Sequence, residues 1–177
     1  MAKSSRGTFL VGEKELMKRL NGLGKQSTVN RMARPALREA SGEIRKAAKR
    51  LAPKKSGQLK KSIKNKVVTS KKTGTVFAVV GPAYGFKTVD ENGRANDPAK
   101  YGHLVEFGTK PHVITAKNKK TLKYVNKTGN TVFPVSVMHP GTAPKPFLRP
   151  AYDSVNSKAI IAKRLGKELD KEAAKKR

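Results

Sequence analysis

His103, His112 and His139 are the side chains whose type best suits metal binding or proton transfer. They share no ligand spacing, and the chain has no cysteine to complete a thiolate site. We therefore expect no metal and no cofactor, and treat the histidines as loop residues. Acids are scarce mid-chain: only Asp90, Glu91, Asp97 and Glu106 occur there. The first three fall in a polar stretch and read as solvated, so nothing sets up a carboxylate pair for hydrolysis. Serines are frequent, but no G-x-S-x-G turn or G-x-x-x-x-G-K-[ST] phosphate loop accompanies them. The chain is not expected to be an enzyme. Glu106 differs from the other acids because Leu104, Val105 and Phe107 surround it. It is either a surface residue of a short element or a partly buried acid that needs a cation. Lys54, Lys55, Lys60, Lys61 and Lys64 form a basic run able to hold phosphates or an acidic partner. No aromatic residue interrupts that run and no groove-reading motif is present. Contact with double-stranded DNA would thus be electrostatic and blind to sequence.

These residues sit in a chain of 177 residues with a net charge of +28. Residues 1–82 carry +17 of it, so the N-terminal half is the electropositive end. Apolar residues make up 36%, below the ~45–50% common in globular domains. That composition suits a modest core with polar extensions. No apolar run is long enough for a membrane helix, and the N-terminal residues lack signal-peptide character, so no membrane is expected.

The hydrophobic pattern gives the positioning elements. Residues 1–12 are expected to form a flexible arm and 13–24 a short helix. From Val29 to Leu51 apolar residues recur at three- and four-residue steps, which predicts a long helix over about 28–52, stopped by Pro53. Thr28 is its expected N-cap, and Pro35 is expected either to kink it or to mark its first turn. Its opposite face carries Arg31, Arg34, Arg38, Arg45, Lys46, Lys49 and Arg50. Residues 53–67 are expected to be a basic turn leading into a strand. Residues 67–69 and 75–80 should form strands, joined by Ser-Lys-Lys-Thr-Gly. Residues 85–99 are expected to be a loop, 100–112 to hold a short ordered element, and 113–139 two or three further strands. The stretch His139–Ser154 concentrates four prolines and then delivers a C-terminal helix over about 150–175, with a frayed basic end. Proline fixes φ, so this is a stiff leader, and Pro150 suits a helix's first turn. Phe147 and Leu148 are its pegs. The resulting class is α+β: an antiparallel β-sheet with the long helix and the C-terminal helix packed on it, in a single domain over 1–177 with its core at 28–154.

Three separated stretches make one ordered pattern: Ala47–Ile63, Tyr101–His112 and His139–Ser154. Pro53, Ser56, Gly57, Leu59, Ser62 and Ile63 carry the first block. Tyr101, Val105, Glu106, Phe107, Gly108 and Thr109 carry the second. Pro144, Pro146, Phe147, Leu148, Arg149, Pro150 and Ala151 carry the third. The pattern resembles the tail-completion, or minor tail component, family of long-tailed bacteriophages, the family of the lambda Z protein. The resemblance implies a non-catalytic virion protein of the neck or tail end. It would form a homo-oligomeric ring, of six copies by that likeness, where head meets tail around the DNA channel. Its neighbours would be a head-completion ring and a tail terminator or tail tube, and assembly would take place in the host cytoplasm. Tyr101, Glu106, Phe107, Gly108, Thr109, Pro146, Phe147, Leu148, Arg149 and Pro150 would then be structural or subunit-interface residues. The competing expectation is a non-specific electrostatic DNA-binding protein. Arg149 stands at a helix N-terminus, where a cation is poorly placed for the helix dipole. A pairing with Glu106, within one subunit or between two, is the expected remedy.

Overall fold

The computed structural model describes residues 25–54, 56–86, 88–89, 95–116, 120–126 and 128–175. The expected N-terminal arm and first short helix, and Lys55, Asp90 and Glu91, lie outside the described residues. The chain divides into two compact units: residues 1–99 with 147–177, and residues 100–146.

The first unit is organised by α1 (Gln26–Leu51). At a rise of about 1.5 Å per residue, its 26 residues span about 39 Å. It starts two residues before the expected Thr28, and Pro35 lies inside it rather than at its first turn. Its inward side is made of small residues: Ala36, Ala40, Ser41, Ala47 and Ala48 are buried, together with Met32. Alanine lets neighbouring elements approach closely at no side-chain entropy cost. The helix stops at Ala52, before Pro53, whose fixed ring disfavours a helical residue ahead of it.

Residues 58–62, expected to belong to a turn, instead form the short helix α2 (Gln58–Ser62). Buried Leu59 anchors it, and the Ser62 hydroxyl donates to the Leu59 carbonyl at 2.8 Å. Strand β1 (Ile63–Thr69) follows and pairs antiparallel with β2 (Val76–Pro82), in the register Val67↔Ala78. The expected loop at 70–74 closes this hairpin, and both strands run longer than the sequence pattern suggested.

Three polar links fasten the hairpin to α1. Asn30 Nδ2 donates to the Gly74 carbonyl at 2.7 Å, an Arg34 guanidinium nitrogen to Thr69 Oγ1 at 2.9 Å, and Asn65 Nδ2 to Ser41 Oγ at 2.9 Å. Asn30, Arg34 and Ser41 are spaced by four and seven residues, so helical geometry puts them on one face. Arg34 therefore turns toward the sheet and is not a free surface cation.

Residues 85–99 are not a bare loop. They contain the two-residue pair β3 (Thr88–Val89) and β4 (Ala95–Asn96). Asp97, expected to be solvated, is an N-cap: its carboxylate accepts from the Ala99 amide at 3.0 Å and the Gly85 amide at 3.1 Å. Buried Pro98 opens α3 (Pro98–Phe107), where its missing N–H costs nothing.

The single C-terminal helix expected over 150–175 is two helices. α4 (Leu148–Asp153) carries Pro150 in its first turn, as expected, and α5 (Ser157–Lys175) follows after a three-residue break. The Ser154 amide and hydroxyl both bond back to α4 carbonyls, those of Pro150 and Ala151. Asn156 Oδ1 then accepts from the Ala159 amide at 3.1 Å and starts the next helix. These local side-chain bonds compete with helix continuation. Both helices pack on α1. Met32, Ala36, Leu165 and Leu169 make one buried cluster, with Val29 and Ile161 against it. Along its rim Arg31 meets Glu172 at 2.8 Å, and Arg164 meets Glu168 at 3.1 Å and Glu39 at 3.8 Å. One side chain in each of the Arg31–Glu172 and Arg164–Glu39 pairs is more than half exposed, so solvent screening keeps their contribution to stability small.

The second unit begins within α3 and continues as a long hairpin. Its stem pairs β5 (His112–Thr115) with β8 (Ser136–His139), and its tip pairs β6 (Tyr124–Val125) with β7 (Thr131–Val132). The α+β class and the antiparallel pairing hold. The one expected sheet is instead four separate two-stranded pieces among the described residues.

Candidate interaction surface

The motif residues of the second unit converge on a clasp at the base of its hairpin. Gly108-Thr109 lies beside Gly141-Thr142. The Thr109 amide donates to the Thr142 carbonyl and the Thr142 amide to the Thr109 carbonyl, each at 3.0 Å. Gly108 has φ +72° and Gly141 φ +84°. A Cβ on Gly108 would collide with the Thr142 carbonyl, and one on Gly141 with the Thr109 carbonyl. Both glycines are thus required twice over, by their left-handed backbone and by close approach. The Lys145 amide adds a bond to the Val105 carbonyl at 2.8 Å, serving an α3 carbonyl left over at the helix end. Sequence reasoning named Gly108 and Thr109 but not their counterparts. Gly-Thr occurs four times in the chain, so the dipeptide by itself did not single them out.

Glu106 is 6% exposed, so it is the buried acid of the two alternatives, placed on the helix α3. Its neighbour Phe107 is 78% exposed at the helix end. Tyr101 is half-buried on α3, and Pro146 is exposed. In the first unit Phe147 and Ala151 are fully buried, Leu148 and Pro150 half-buried, and Arg149 exposed. The expected partners Glu106 and Arg149 fall in different units. Phe147 is the core peg that was expected, whereas Leu148 and Arg149 line a groove on the surface of the first unit.

Two of the three histidines meet. His112 and His139 are directly opposite on the β5–β8 ladder, with ring centroids 5.1 Å apart. His112 Nδ1–H donates to the Lys110 carbonyl at 2.9 Å, whereas His139 Nδ1 accepts from the Gly141 amide at 3.0 Å. The two Nδ1 atoms therefore play opposite hydrogen-bonding roles, and His139 is tied directly to the clasp residue Gly141. Two nitrogens fall short of a zinc set, and among the described residues no group of three or more metal-ligating side chains occurs.

Lys54, Lys61 and Lys64 are exposed and Lys60 is half-buried. On β1 the exposed Lys64 and Lys66 alternate with Asn65, which bonds α1, so both lysines point away from that helix. Lys64 Nζ lies 5.6 Å from the centroid of the Phe86 ring. An aromatic residue thus joins the basic run through space, although none interrupts it in sequence.

The largest feature unforeseen in the sequence is apolar. Phe107, Val113, Ile114, Tyr124, Val125, Phe133, Val135 and Met138 of the second unit are all exposed. The strands expected to enter a core are two-stranded ribbons with large side chains in solvent. In the first unit the groove, of about 560 Å³, is lined by Leu37, Ala40 and Ile44 of α1, residues of β2, and side chains of α4 and α5 that include Tyr152 and Ile161. Among the described residues no helix is long and apolar enough to cross a membrane.

No curated protein and no solved structure matches the chain significantly. A family model described as "Bacteriophage HK97-gp10, putative tail-component" matches residues 14–108. The match takes in α1, the β1–β2 hairpin and α3, together with the first motif block and most of the second. It covers more than half of the 177 residues, and the chain belongs to this HK97-gp10-like family of bacteriophage tail components.

Proposed function

We propose that this chain is a tail-completion protein of the phage neck. It assembles as a ring of copies, six by the sequence resemblance, at the head–tail junction around the DNA channel. It joins tail to capsid and performs no catalysis. The observation that carries this reading is the second unit. A two-stranded ribbon is marginal by itself in water, yet this one also leaves seven large apolar side chains exposed, with Phe107 of α3 an eighth in the same unit. Such a surface calls for neighbours. The partners that follow are further copies, a head-completion ring and a tail terminator or tube. Electron microscopy of assembled particles tests the reading. Ring density of this chain at the head–tail junction is expected. Density elsewhere in the particle, or none, overturns it.

The net charge favours a second role, non-specific contact with the DNA that must pass such a ring. Replacing Lys54, Lys55, Lys60, Lys61 and Lys64 together with glutamine should weaken binding to double-stranded DNA. Each lost phosphate contact lowers the slope of log affinity against log salt by about 0.9. With all five in contact, the slope should fall by about 4–5 units. An unchanged slope with unchanged folding assigns these lysines to an acidic protein or to solvent.

A further inference from the structure

The groove of the first unit runs along a strand edge. Val76, Phe77 and Ala78 all line it. Consecutive strand residues point to opposite faces, so a surface touched by all three follows the edge of β2. Among the described residues β2 pairs only with β1, which leaves that edge with unpaired backbone donors and acceptors. Native edges are usually guarded by charge or proline. This one carries no charge, since no charged residue lies between Lys72 and Lys87, and its one proline, Pro82, stands at its last position, beyond the residues that line the groove. An open edge beside a groove lined mainly by apolar side chains, with Arg149 its one charged member, fits an added strand whose backbone pairs and whose side chains alternate into the groove.

The identity of that strand follows from charge. At +28 per copy, like-charged copies repel wherever their basic surfaces meet. The two longest stretches without Lys, Arg, Asp or Glu are residues 73–86, which contain β2, and 128–144, which contain β7 and β8. β8 has an unpaired outer edge among the described residues. Val135, just ahead of it, is 70% exposed and Met138 within it 66%. Pro134 and Pro140 bracket the segment and limit how far pairing can spread.

We infer that the free edge of β2 and the groove beside it receive β8 of a second copy, edge to edge, so that the sheet continues from one subunit into the next. The inference rests on the ring reading and supplies its contact. The two surfaces differ, so the contact is heterologous, and repetition of it generates a ring when the rotation closes.

The chain has no cysteine, so introduced pairs are unambiguous. Full-length Phe77→Cys protein and full-length Met138→Cys protein are purified, mixed and treated with a short bis-maleimide. Mass spectrometry then locates the link. A dimer joined between position 77 of one copy and position 138 of the other is expected, at least about tenfold above the dimer from either variant alone. The double variant should give a ladder of multimers. Equal yields from the single variants overturn the inference. So does a link formed only within one chain, or capture of position 77 by residues 1–24. Met138→Lys, combined with the cysteine at position 77 and a second cysteine from Val137→Cys, should leave the thermal midpoint unchanged while abolishing the link between copies; full retention of the link also overturns the inference. The same cysteine pair in assembled particles separates the two ideas. A ring seen by microscopy without this link refutes the contact and keeps the ring, whereas absence of any ring refutes both.

Discussion

Phe147→Ala is expected to lower the unfolding free energy by about 3–5 kcal/mol, the largest loss from any single truncation among the described residues. Phe147 is completely shielded from water and is the largest fully buried side chain among the described residues. Two terms add: the transfer energy of the lost ring and the cavity left behind. The residue also ends the proline-rich leader and immediately precedes α4. Its loss therefore loosens the point from which both C-terminal helices depart. Phe147→Leu, which keeps most of the volume, should cost less than about 1.5 kcal/mol. Urea denaturation of the two variants checks the prediction. A loss below about 1 kcal/mol for the alanine variant shows that the pocket collapses without the ring, and Phe147 is then no anchor.

Gly108→Ala should be among the most damaging changes in the second unit, together with its counterpart Gly141→Ala. The φ of +72° alone costs a non-glycine residue about 1–2 kcal/mol. The new Cβ would also strike the Thr142 carbonyl and come within 2.9 Å of the Pro144 nitrogen. Both obstacles are backbone atoms, so a side-chain rotation cannot relieve them. Overpacking of this kind adds about 1–3 kcal/mol. The clasp should open, and amide hydrogen exchange at Thr109 and Thr142 should accelerate by about 100-fold, a loss of about 2.8 kcal/mol at tenfold per 1.4 kcal/mol. Gly129→Ala is the control. Its φ is +83°, but nothing lies within 4 Å of an added Cβ. It should show backbone strain alone and leave the clasp amides protected. Equal exchange at the clasp in both variants would show that close approach at Gly108 does not matter.

The two positions differ in how readable they are from sequence. Phe147 stands out because prolines on either side make it a fixed point before a helix. Gly108 stands out only as one letter of a recurring block, and its reason, the Thr142 carbonyl, lies far along the chain. A similar divide runs through the fold. α1 is legible because alanines at three- and four-residue steps define a helical face without help from elsewhere. The β1–β2 hairpin is legible because Ser70–Gly74 is a turn by composition. The break between α4 and α5 is not legible, because Ser154 and Asn156 also suit an exposed helical face; the hydrogen bonds they make decide otherwise. Asp97 reads as a solvated acid by its polar surroundings, although Asp-Pro before an apolar run is also a helix-start signal.

The sequence by itself determined the charge, the long helix, the first hairpin, the order of the three motif blocks and the likeness to phage tail components. These depend on composition or on residues within a few turns of each other. Only the tertiary structure decided that His112 faces His139, that two Gly-Thr dipeptides interlock, that Glu106 is buried, and that the described strands between 112 and 139 carry most of their large apolar side chains in solvent. Apolar alternation announces that a strand has a face to cover. It carries no information about what covers it, because burial depends on elements far away in the chain or, in an assembling protein, on another copy.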